Sequence, residues 1–300
     1  MNSKEEFTVQ MKRKVAEIEE ILKEYLPKPE GYQKVIMEAM EYSLMAGGKR
    51  LRPMLMRETS RLFGDETEAL CPFMAALEMI HTYSLVHDDL PAMDNDDYRR
   101  GKETTHKAYG EAMGILAGDG LLNYAYETVS QAFFMEPGNV RVARAFAVLS
   151  KKAGIYGMVG GQTVDVETDK GEPVTREKLD FIYALKTGAL IEASMLVGAI
   201  LAGAGEEEQK VIEAAAGDIG LAFQIKDDIL DITSTMEVLG KPIGSDEKNN
   251  KATYVTYEGL EKSKEDVLRL SKKAVESLQS LSVTNEFLIR LILELIHREK

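Results

Sequence analysis

The chain has 300 residues, of which 44% are hydrophobic, 29% charged and 7% aromatic, and its formal net charge is −13. This acidity argues against general nucleic-acid binding, and a single cysteine, Cys71, excludes an intrachain disulfide and a cysteine metal cage. The N-terminus lacks the apolar core of a signal peptide and no stretch approaches the ~20 apolar residues of a membrane span, so we expect a cytoplasmic protein without stable membrane insertion.

The first two predicted elements are amphipathic helices. Apolar residues recur at three- and four-residue steps from Phe7 to Tyr25 and again from Val35 to Met45, and Gly47-Gly48 closes the second helix. The basic segment Lys49–Pro53 follows, with arginines at its second and fourth positions. Paired glycines allow a ligand to approach the backbone, and the basic residues could bind phosphate. Taken alone, a solvated helix cap is the simpler interpretation of this segment.

The next helix is long and apolar, ends near Leu90 and is followed by a cluster of carboxylates: Asp88, Asp89, Asp94, Asp96 and Asp97. Crowded carboxylates raise each other's pKa unless a cation lies among them, and their hard oxygens suit Mg²⁺ shared with substrate phosphates. Arg99 and Arg100 come next, and guanidinium groups match phosphate oxygens. His81 lies two turns before Asp88 on the same helical face. The alternative is a solvated acidic turn.

Glycines divide or line the predicted helices in the middle of the chain. We expect Gly118-Asp119-Gly120 to break or pinch the helical stretch 111–134, and Pro137-Gly138 to form a turn. Residues 140–165 are predicted as one long helix in which glycines allow close packing, namely Gly157, Gly160 and Gly161.

A second acidic cluster ends a later helix. The mostly apolar residues 219–225 precede Asp227, Asp228 and Asp231, and a helix would place Asp227 and Asp231 on one face. Two apolar helices that end in carboxylates suggest two walls of one cavity able to hold several Mg²⁺ ions around a diphosphate; two unrelated surface turns are the alternative. Lys186-Thr187 lies within an apolar helical run, where buried polar groups need partners, although Lys186 could instead reach water.

No run alternates convincingly at period two, and no hairpin signal is present. We therefore predict an all-α fold, a single helical bundle around a central cavity. No Pro/Ser-rich linker divides the chain, so residues 1–300 are predicted to form one domain. The last two helices are expected at 254–278 and 285–297.

Together these motifs are specific, and by them the chain resembles the trans-isoprenyl diphosphate synthases, most closely the bacterial farnesyl diphosphate synthases. The resemblance covers nearly the whole length. It is carried by Gly47–Pro53, His81, Asp88-Asp89 with Asp94, Arg99-Arg100-Gly101, Gly161-Gln162 with Asp165, Lys186-Thr187-Gly188, Phe223-Gln224 with Asp227-Asp228 and Asp231, and Lys241-Pro242.

The resemblance implies the isoprenoid synthase fold and a prenyltransferase that uses up to three Mg²⁺ ions per site. It implies metal-binding roles for Asp88, Asp89, Asp94, Asp227 and Asp231, with Asp228 shaping the second cluster. It implies contacts to the allylic diphosphate from Arg99, Lys186 and Lys241. The pocket for isopentenyl diphosphate would be formed by Lys49, Arg52, His81 and Arg100. The catalytic polar groups beside the allylic carbon would be Lys186, Thr187 and Gln224. Asn95 departs from the Asp of many relatives.

The same resemblance points to Tyr83, with Ser84 beside it, as the residues that set product length. Tyr83 lies five residues, or ~7.5 Å along the helix, below Asp88, and an aromatic ring there is expected to stop growth at fifteen carbons. The implied reaction condenses isopentenyl diphosphate head to tail with dimethylallyl and geranyl diphosphates to give (2E,6E)-farnesyl diphosphate. A homodimer is also implied.

Four alternatives remain open. A geranylgeranyl diphosphate synthase of the same family would differ only in product length. A catalytically silent subunit could bind prenyl diphosphates, although the intact aspartates and lysines argue against it. A terpene cyclase would have no use for the Gly47–Pro53 pocket. A Ca²⁺ protein is disfavoured because residues 94–98 lack the glycine and distal glutamate of an EF-hand loop.

Overall fold

The computed structural model describes residues 3–64, 66–168, 174–233 and 252–297, and these are almost entirely helical. The helices are α1 (Ser3–Tyr25), α2 (Lys34–Leu44), α3 (Leu51–Phe63), α4 (Leu70–Asp88), α5 (Thr105–Tyr109), α6 (Glu111–Met135), α7 (Val140–Ala153), α8 (Met158–Thr168), α9 (Arg176–Ile182), α10 (Ala189–Ala202), α11 (Glu206–Thr233), α12 (Tyr254–Glu258), α13 (Leu260–Gln279) and α14 (Glu286–His297). A π-helical segment, Tyr183–Gly188, joins α9 to α10. The predicted all-α fold is confirmed.

The chain forms two compact units, the first comprising residues 1–57 and 67–143 and the second residues 58–66 and 144–300. In the first unit, α4 packs against α1, α2 and α6. In the second, α11 packs against α10, α13 and the π-helical segment. Both α4 and α10 are buried nearly all round, as their continuous apolar sequences require. The single domain over residues 1–300 stays a prediction.

The predicted break at Gly118-Asp119-Gly120 is wrong, because α6 runs without interruption through it. Gly118 instead lets α6 approach α4, and Gly120 lets it approach α2. A Cβ added to Gly118 would overlap the imidazole ring of His87, and one added to Gly120 would lie 3.0 Å from the sulfur of Met40. Glycine weakens a helix by only about 1 kcal/mol, which tertiary packing readily offsets.

Two helices predicted as continuous are divided. The stretch 140–165 is broken between α7 and α8, where turn hydrogen bonds run from the Gly154 amide to Lys151 O and from the Gly157 amide to Gly154 O. The stretch 254–278 is broken at Gly259, whose φ of +80° ends α12 before α13 begins. In both places glycine adopts a turn that helical periodicity alone does not indicate.

A two-stranded hairpin that the sequence analysis missed follows α4. Strand β1 (Tyr98–Arg99) pairs antiparallel with β2 (Lys102–Glu103). Arg100 and Gly101 connect them with φ values of +53° and +78°, the two positive angles of a type I′ turn. Asn-Gly or Asp-Gly normally signals this turn, so the Arg100-Gly101 pair did not predict it.

The helical stretch Arg176–Ala202 has 27 residues, and its most apolar 18-residue window has a mean hydropathy of 1.5, so by length and composition it could cross a membrane. The expectation that no stretch approaches this length is therefore wrong. The protein buries 72% of its most apolar window, so the stretch serves as a core helix of the second unit.

Candidate active site

The first acidic segment forms a compact turn at the end of α4. The Asp94 amide donates a hydrogen bond to the Asp88 carbonyl oxygen at 2.8 Å, and the Asn95 amide donates to Leu90 O at 3.1 Å. Asn95 has a φ of +54°, which lets the chain fold back. The first of these hydrogen bonds therefore brings the backbones of Asp88 and Asp94, six residues apart in sequence, next to each other. The side chain of Asp88 is half-buried and that of Asp94 is exposed.

Asp89 is held in a different way from its neighbours. It is buried, and the guanidinium group of Arg99 donates to both carboxylate oxygens, with Nε at 2.8 and 2.9 Å and Nη2 at 2.6 Å from Oδ1. Burial raises the pKa of Asp89 above 3.8, and the Arg99 bonds act in the opposite direction. Arg99 also lies 3.7 Å from Asp96 Oδ2. Asp89 thus fixes an arginine beside the Asp88–Asp94 turn.

The basic segment beyond α2 is a loop of left-handed backbone. The φ values are +93° at Gly47, +132° at Gly48 and +48° at Arg50. The Arg100 guanidinium donates to the Gly47 carbonyl oxygen, and a Cβ on Gly48 would lie 2.7 Å from Arg100 Nη1. The φ of +132° at position 48 therefore favours glycine, and any other residue there would also displace the Arg100 guanidinium group. The side chain of Lys49 is exposed at the tip.

Arg52 and His81 lie together next to this loop. Arg52 Nη1 is 3.3 Å from His81 Nε2. Burial and the nearby arginines, Arg52 first and then Arg100, Arg99 and Arg50, hold the pKa of His81 well below 6.5. The neutral imidazole can therefore accept a hydrogen bond from Arg52 at Nε2.

A cleft with about 370 Å³ of open space lies between α2, α4 and the hairpin. Its lining includes Tyr42, Thr82, Asp89, Arg99 and Arg100. All four residues predicted to bind isopentenyl diphosphate belong to this first unit, as do Arg99 and the first acidic segment.

In the second unit, Asp228 is the centre of a buried hydrogen-bond network. The Tyr183 hydroxyl donates to Asp228 Oδ2 at 2.5 Å, and the Tyr254 amide donates to the same oxygen at 2.9 Å. Gln224 Nε2 donates to Oδ1 at 3.3 Å. Asp231 is also buried, whereas Asp227 is half-buried. Asp227 is therefore the more accessible carboxylate of this cluster.

Lys186 and Thr187 lie in the π-helical segment and both have polar partners. Lys186 Nζ is 2.6 Å from Asp165 Oδ2, and the Thr187 hydroxyl donates to Gln224 Oε1 at 2.7 Å. The backbone of Lys186 packs so closely on α8 that a Cβ on Gly161 would overlap it. π-Helical turns occur often at functional sites because they redirect neighbouring side chains. The interpretation of Lys186 as paired rather than merely solvated is favoured.

The model of the polyprenyl synthetase family matches residues 33–286, which include all of these groups. The chain belongs to the polyprenyl synthetase family. It is 46% identical over 267 residues to a farnesyl diphosphate synthase of Geobacillus stearothermophilus, covering 89% of each chain. It is also 46% identical to a geranylgeranyl diphosphate synthase of Cyanophora paradoxa, covering 86% of this chain and 90% of that one.

The structure is similar to that of a geranyltransferase from Helicobacter pylori complexed with magnesium and isoprenyl diphosphate. The TM-score is 0.83 and the identity 30%, over 96% of each chain. The predicted isoprenoid synthase fold is confirmed by this similarity. The polyprenyl synthetase is thus a prenyltransferase of isoprenoid biosynthesis, from a Mg²⁺-dependent family whose substrates are isopentenyl and allylic diphosphates.

The carboxylates of this polyprenyl synthetase fit Mg²⁺. Among the described residues no three acidic, histidine or cysteine side chains converge into a complete metal cage. Mg²⁺ commonly takes only one or two carboxylates and completes its shell with phosphate oxygens and water, so the Asp88–Asp94 pair suits an ion shared with a diphosphate. The second cluster belongs to the other unit, and the common cavity of the two clusters stays a prediction. Lys241 lies outside the described residues.

Several residues of the site were not predicted from sequence. Tyr183 and Tyr254 hold Asp228, but both look like ordinary core aromatics in the sequence. Glu78, buried in the apolar helix α4, did carry a signal, since a buried carboxylate requires a partner. That partner is Arg50, which the sequence analysis left without a role.

Proposed function

We propose that this polyprenyl synthetase condenses isopentenyl diphosphate head to tail with dimethylallyl and then geranyl diphosphate, releasing (2E,6E)-farnesyl diphosphate and diphosphate. The observation that carries the proposal is the Asp88–Asp94 turn. A backbone hydrogen bond holds the two aspartates next to each other, and Arg99 is fixed beside them by Asp89. Family membership and the farnesyl diphosphate synthase relative support the same reaction.

In this proposal the two acidic clusters hold the metal ions. Asp88 and Asp94 bind Mg²⁺ in the first unit with Asp89 in support, and Asp227 binds it in the second with Asp231 in support. Mg²⁺, when bound, acts as a Lewis acid that stabilises negative charge on the departing diphosphate. Arg99, Lys186 and Lys241 bind the allylic diphosphate, whereas the second diphosphate is bound by Lys49, Arg52, His81 and Arg100.

The allylic carbon–oxygen bond breaks first, and its electron pair leaves with the diphosphate. The resulting allylic cation faces the oxygen dipoles of Thr187 and Gln224 and the Lys186 carbonyl, which stabilise it without a full negative charge. The Thr187–Gln224 hydrogen bond fixes both side chains for this task. The double bond of isopentenyl diphosphate then forms the new carbon–carbon bond. The released diphosphate accepts the proton that restores a double bond.

Tyr83 supports a fifteen-carbon product. Its side chain is 6% exposed and packs edge-on against His87 with 5.8 Å between ring centroids. Burial raises the pKa of the Tyr83 hydroxyl to about 12. The ring is therefore a fixed, uncharged part of α4 below Asp88. Ser84 donates its hydroxyl to His81 O at 2.8 Å, so this side chain folds back onto its own helix.

Substituting Tyr83→Ala tests this role, because removing the ring opens space below the acidic turn. We expect products of twenty carbons or more, measured by chromatography after dephosphorylation. Tyr124→Ala, which removes a half-buried tyrosine of α6, serves as the control and should leave product length unchanged. An unchanged profile in Tyr83→Ala would refute Tyr83 as the limit to chain growth.

A second candidate is geranylgeranyl diphosphate synthesis, favoured by the equally identical Cyanophora paradoxa relative. A silent prenyl-diphosphate-binding subunit is less well supported, because the aspartates, Lys186 and Thr187 are all present. Incubation with isopentenyl diphosphate, Mg²⁺ and each allylic partner in turn tests all three. Fifteen carbons as the main product supports the proposal, twenty carbons supports the second candidate, and no product supports the third.

We also propose that the enzyme is a cytoplasmic homodimer. Helix α6 of the first unit exposes apolar side chains near both of its ends, notably Leu116 at 45% and Phe134 at 83% exposed. These two residues are 18 positions, or five helical turns, apart and so lie on one face. A second copy related by twofold symmetry would cover this face with the same residues. Sedimentation of wild type and Phe134→Glu tests the proposal, which predicts a dimer and a monomer respectively.

A further inference from the structure

Arg50 is the most unusual residue of the basic loop. It is 2% exposed, although it lies between the exposed Lys49 and the half-buried Arg52. Its φ of +48° is also uncommon for a residue with a long side chain. Strained backbone of this kind persists only where surrounding contacts impose it.

Those contacts are two ion pairs with helices of the first unit. Arg50 Nη1 donates to Glu78 Oε1 on α4 at 3.0 Å. Arg50 Nε donates to Glu19 Oε1 on α1 at 3.3 Å. Glu78 is 2% exposed, so its charge is neutralised by Arg50 rather than by water. A single buried guanidinium group therefore fastens the loop to both helices.

Both residues of the ion pair lie next to residues of the predicted isopentenyl diphosphate pocket. Glu78 lies three residues before His81 on α4, so the two side chains share a helical face. Arg50 lies two residues before Arg52, and Arg52 contacts His81 at 3.3 Å. The loop is thus joined to the same face of α4 at two successive points, one buried and one at the pocket.

The energetics indicate that the Arg50–Glu78 pair fixes the conformation of the basic loop more than it stabilises the fold. Glu78 Oε2 accepts no hydrogen bond from the residues that the structure describes. An incompletely satisfied buried ion pair is often no more stabilising than apolar side chains of similar volume. Removing one partner alone leaves a buried, uncompensated charge, which is strongly destabilising. What apolar side chains could not reproduce is the directional link that holds the loop in its left-handed conformation.

We infer that Arg50 and Glu78 are positioning residues for the isopentenyl diphosphate pocket, which hold Lys49 and Arg52 at the distance from His81 that a diphosphate requires. The inference rests on the proposed function. Arg50 acts through its neighbours and does not touch the substrate. The position of the Arg50 charge also agrees with its contribution to the low pKa of His81.

The test is a double substitution, Arg50→Met with Glu78→Met, which removes the link and leaves no buried charge. We expect the KM for isopentenyl diphosphate to rise about tenfold or more, because a loop displaced by an ångström loses most of its contacts. The KM for geranyl diphosphate should stay within about twofold, since that substrate binds other residues. Hydrogen exchange of the amides of residues 46–52 should become faster, while that of α4 stays unchanged.

The matched control is Lys152→Met with Glu192→Met, which removes a half-buried ion pair of the second unit. It should change neither KM nor the exchange of residues 46–52. If the double Met variant does not fold, Arg50→Lys replaces it, since this retains the charge and loses the planar fork. The same selective rise in KM is expected.

Two outcomes would overturn the inference: unchanged exchange at residues 46–52, or equal increases in both KM values. Failure of the proposed function gives a different result, because wild type itself would then form a twenty-carbon main product or no prenyl product. The exchange measurement needs no turnover, so it tests the loop in that case as well.

Discussion

The two acidic clusters of this prenyltransferase are held by different chemistry. In the first unit a charged group does the holding, as Arg99 binds both oxygens of the buried Asp89. In the second unit the buried Asp228 accepts hydrogen bonds from three neutral groups: the Tyr183 hydroxyl, the Tyr254 amide and the Gln224 side-chain amide. The two carboxylates thus differ in that a guanidinium group brings positive charge to Asp89, whereas these three donors bring no charge to Asp228.

This difference matters because the whole chain carries a net charge of −13 and its substrates are anions. Arg99 pairs with Asp89 and lies 3.7 Å from Asp96, so positive charge lies beside the first cluster, where we propose that a diphosphate binds. For the carboxylates of the second cluster we propose a role in metal binding. Substitutions in each cluster test this comparison.

The largest effect is expected from the accessible carboxylates. Asp88→Asn and Asp94→Asn each remove one charge from the turn that we propose binds metal, so turnover should fall about 100- to 1,000-fold, as for other preorganised electrostatic groups. Steady-state assays at saturating Mg²⁺ measure the loss. Asp97→Asn is the control, since Asp97 is exposed and pairs with Lys107 at 2.8 Å. Equal losses in all three variants would contradict a special role for the turn.

A smaller effect is expected from the neutral hydrogen-bond donors to Asp228. Tyr183→Phe removes the 2.5 Å hydrogen bond to Asp228, and bonds to charged groups contribute about 1.5–3 kcal/mol to the free energy of unfolding. Urea denaturation measures this loss, and turnover should also fall as Asp228 and Gln224 reorient. Tyr257→Phe, which removes an exposed hydroxyl that donates to Val174 O, should cost less. A wild-type unfolding curve for Tyr183→Phe would mean that the amides alone hold Asp228.

The smallest effect concerns the cationic surroundings of His81. Its pKa in the folded protein is well below 6.5, so the folded state binds fewer protons than the unfolded state below that pH. Above pH 6.5 the titration of His81 does not change the free energy of unfolding. As the pH falls from 6.5 toward the folded pKa, this free energy decreases by at most about 1.4 kcal/mol per pH unit. Unfolding measured from pH 7.5 to 5 should show a shallower dependence in His81→Gln than in wild type. An unchanged slope in His81→Gln would contradict the assignment.

Helical periodicity and motif spacing predicted most of the fold and the candidate residues. The apolar runs before Asp88 and Asp227 do form buried helices. Arg52 and His81, placed in one pocket by resemblance, lie in contact. The helices depend on local patterns that a sequence displays directly, whereas the pocket was predicted from family motifs.

The errors arose where tertiary contacts override local propensity. Gly118 does not break α6, because the close approach of His87 offsets its helix-breaking tendency. The Arg100-Gly101 turn of the hairpin uses positive φ at an arginine, which no turn preference indicates. The π-helical segment around Lys186 and the partners of Asp228 depend on packing between distant helices. The Arg50–Glu78 pair joins residues 28 apart and was likewise invisible to spacing.

Release of diphosphate, measured together with prenyl product while Mg²⁺ is varied, tests the central claim most directly. Wild type given isopentenyl and geranyl diphosphates should form fifteen-carbon product and diphosphate in equal amounts, and both should disappear when the metal is chelated. Undiminished product after chelation would contradict the role of the acidic clusters. Diphosphate released without a new carbon–carbon bond would contradict prenyl transfer itself.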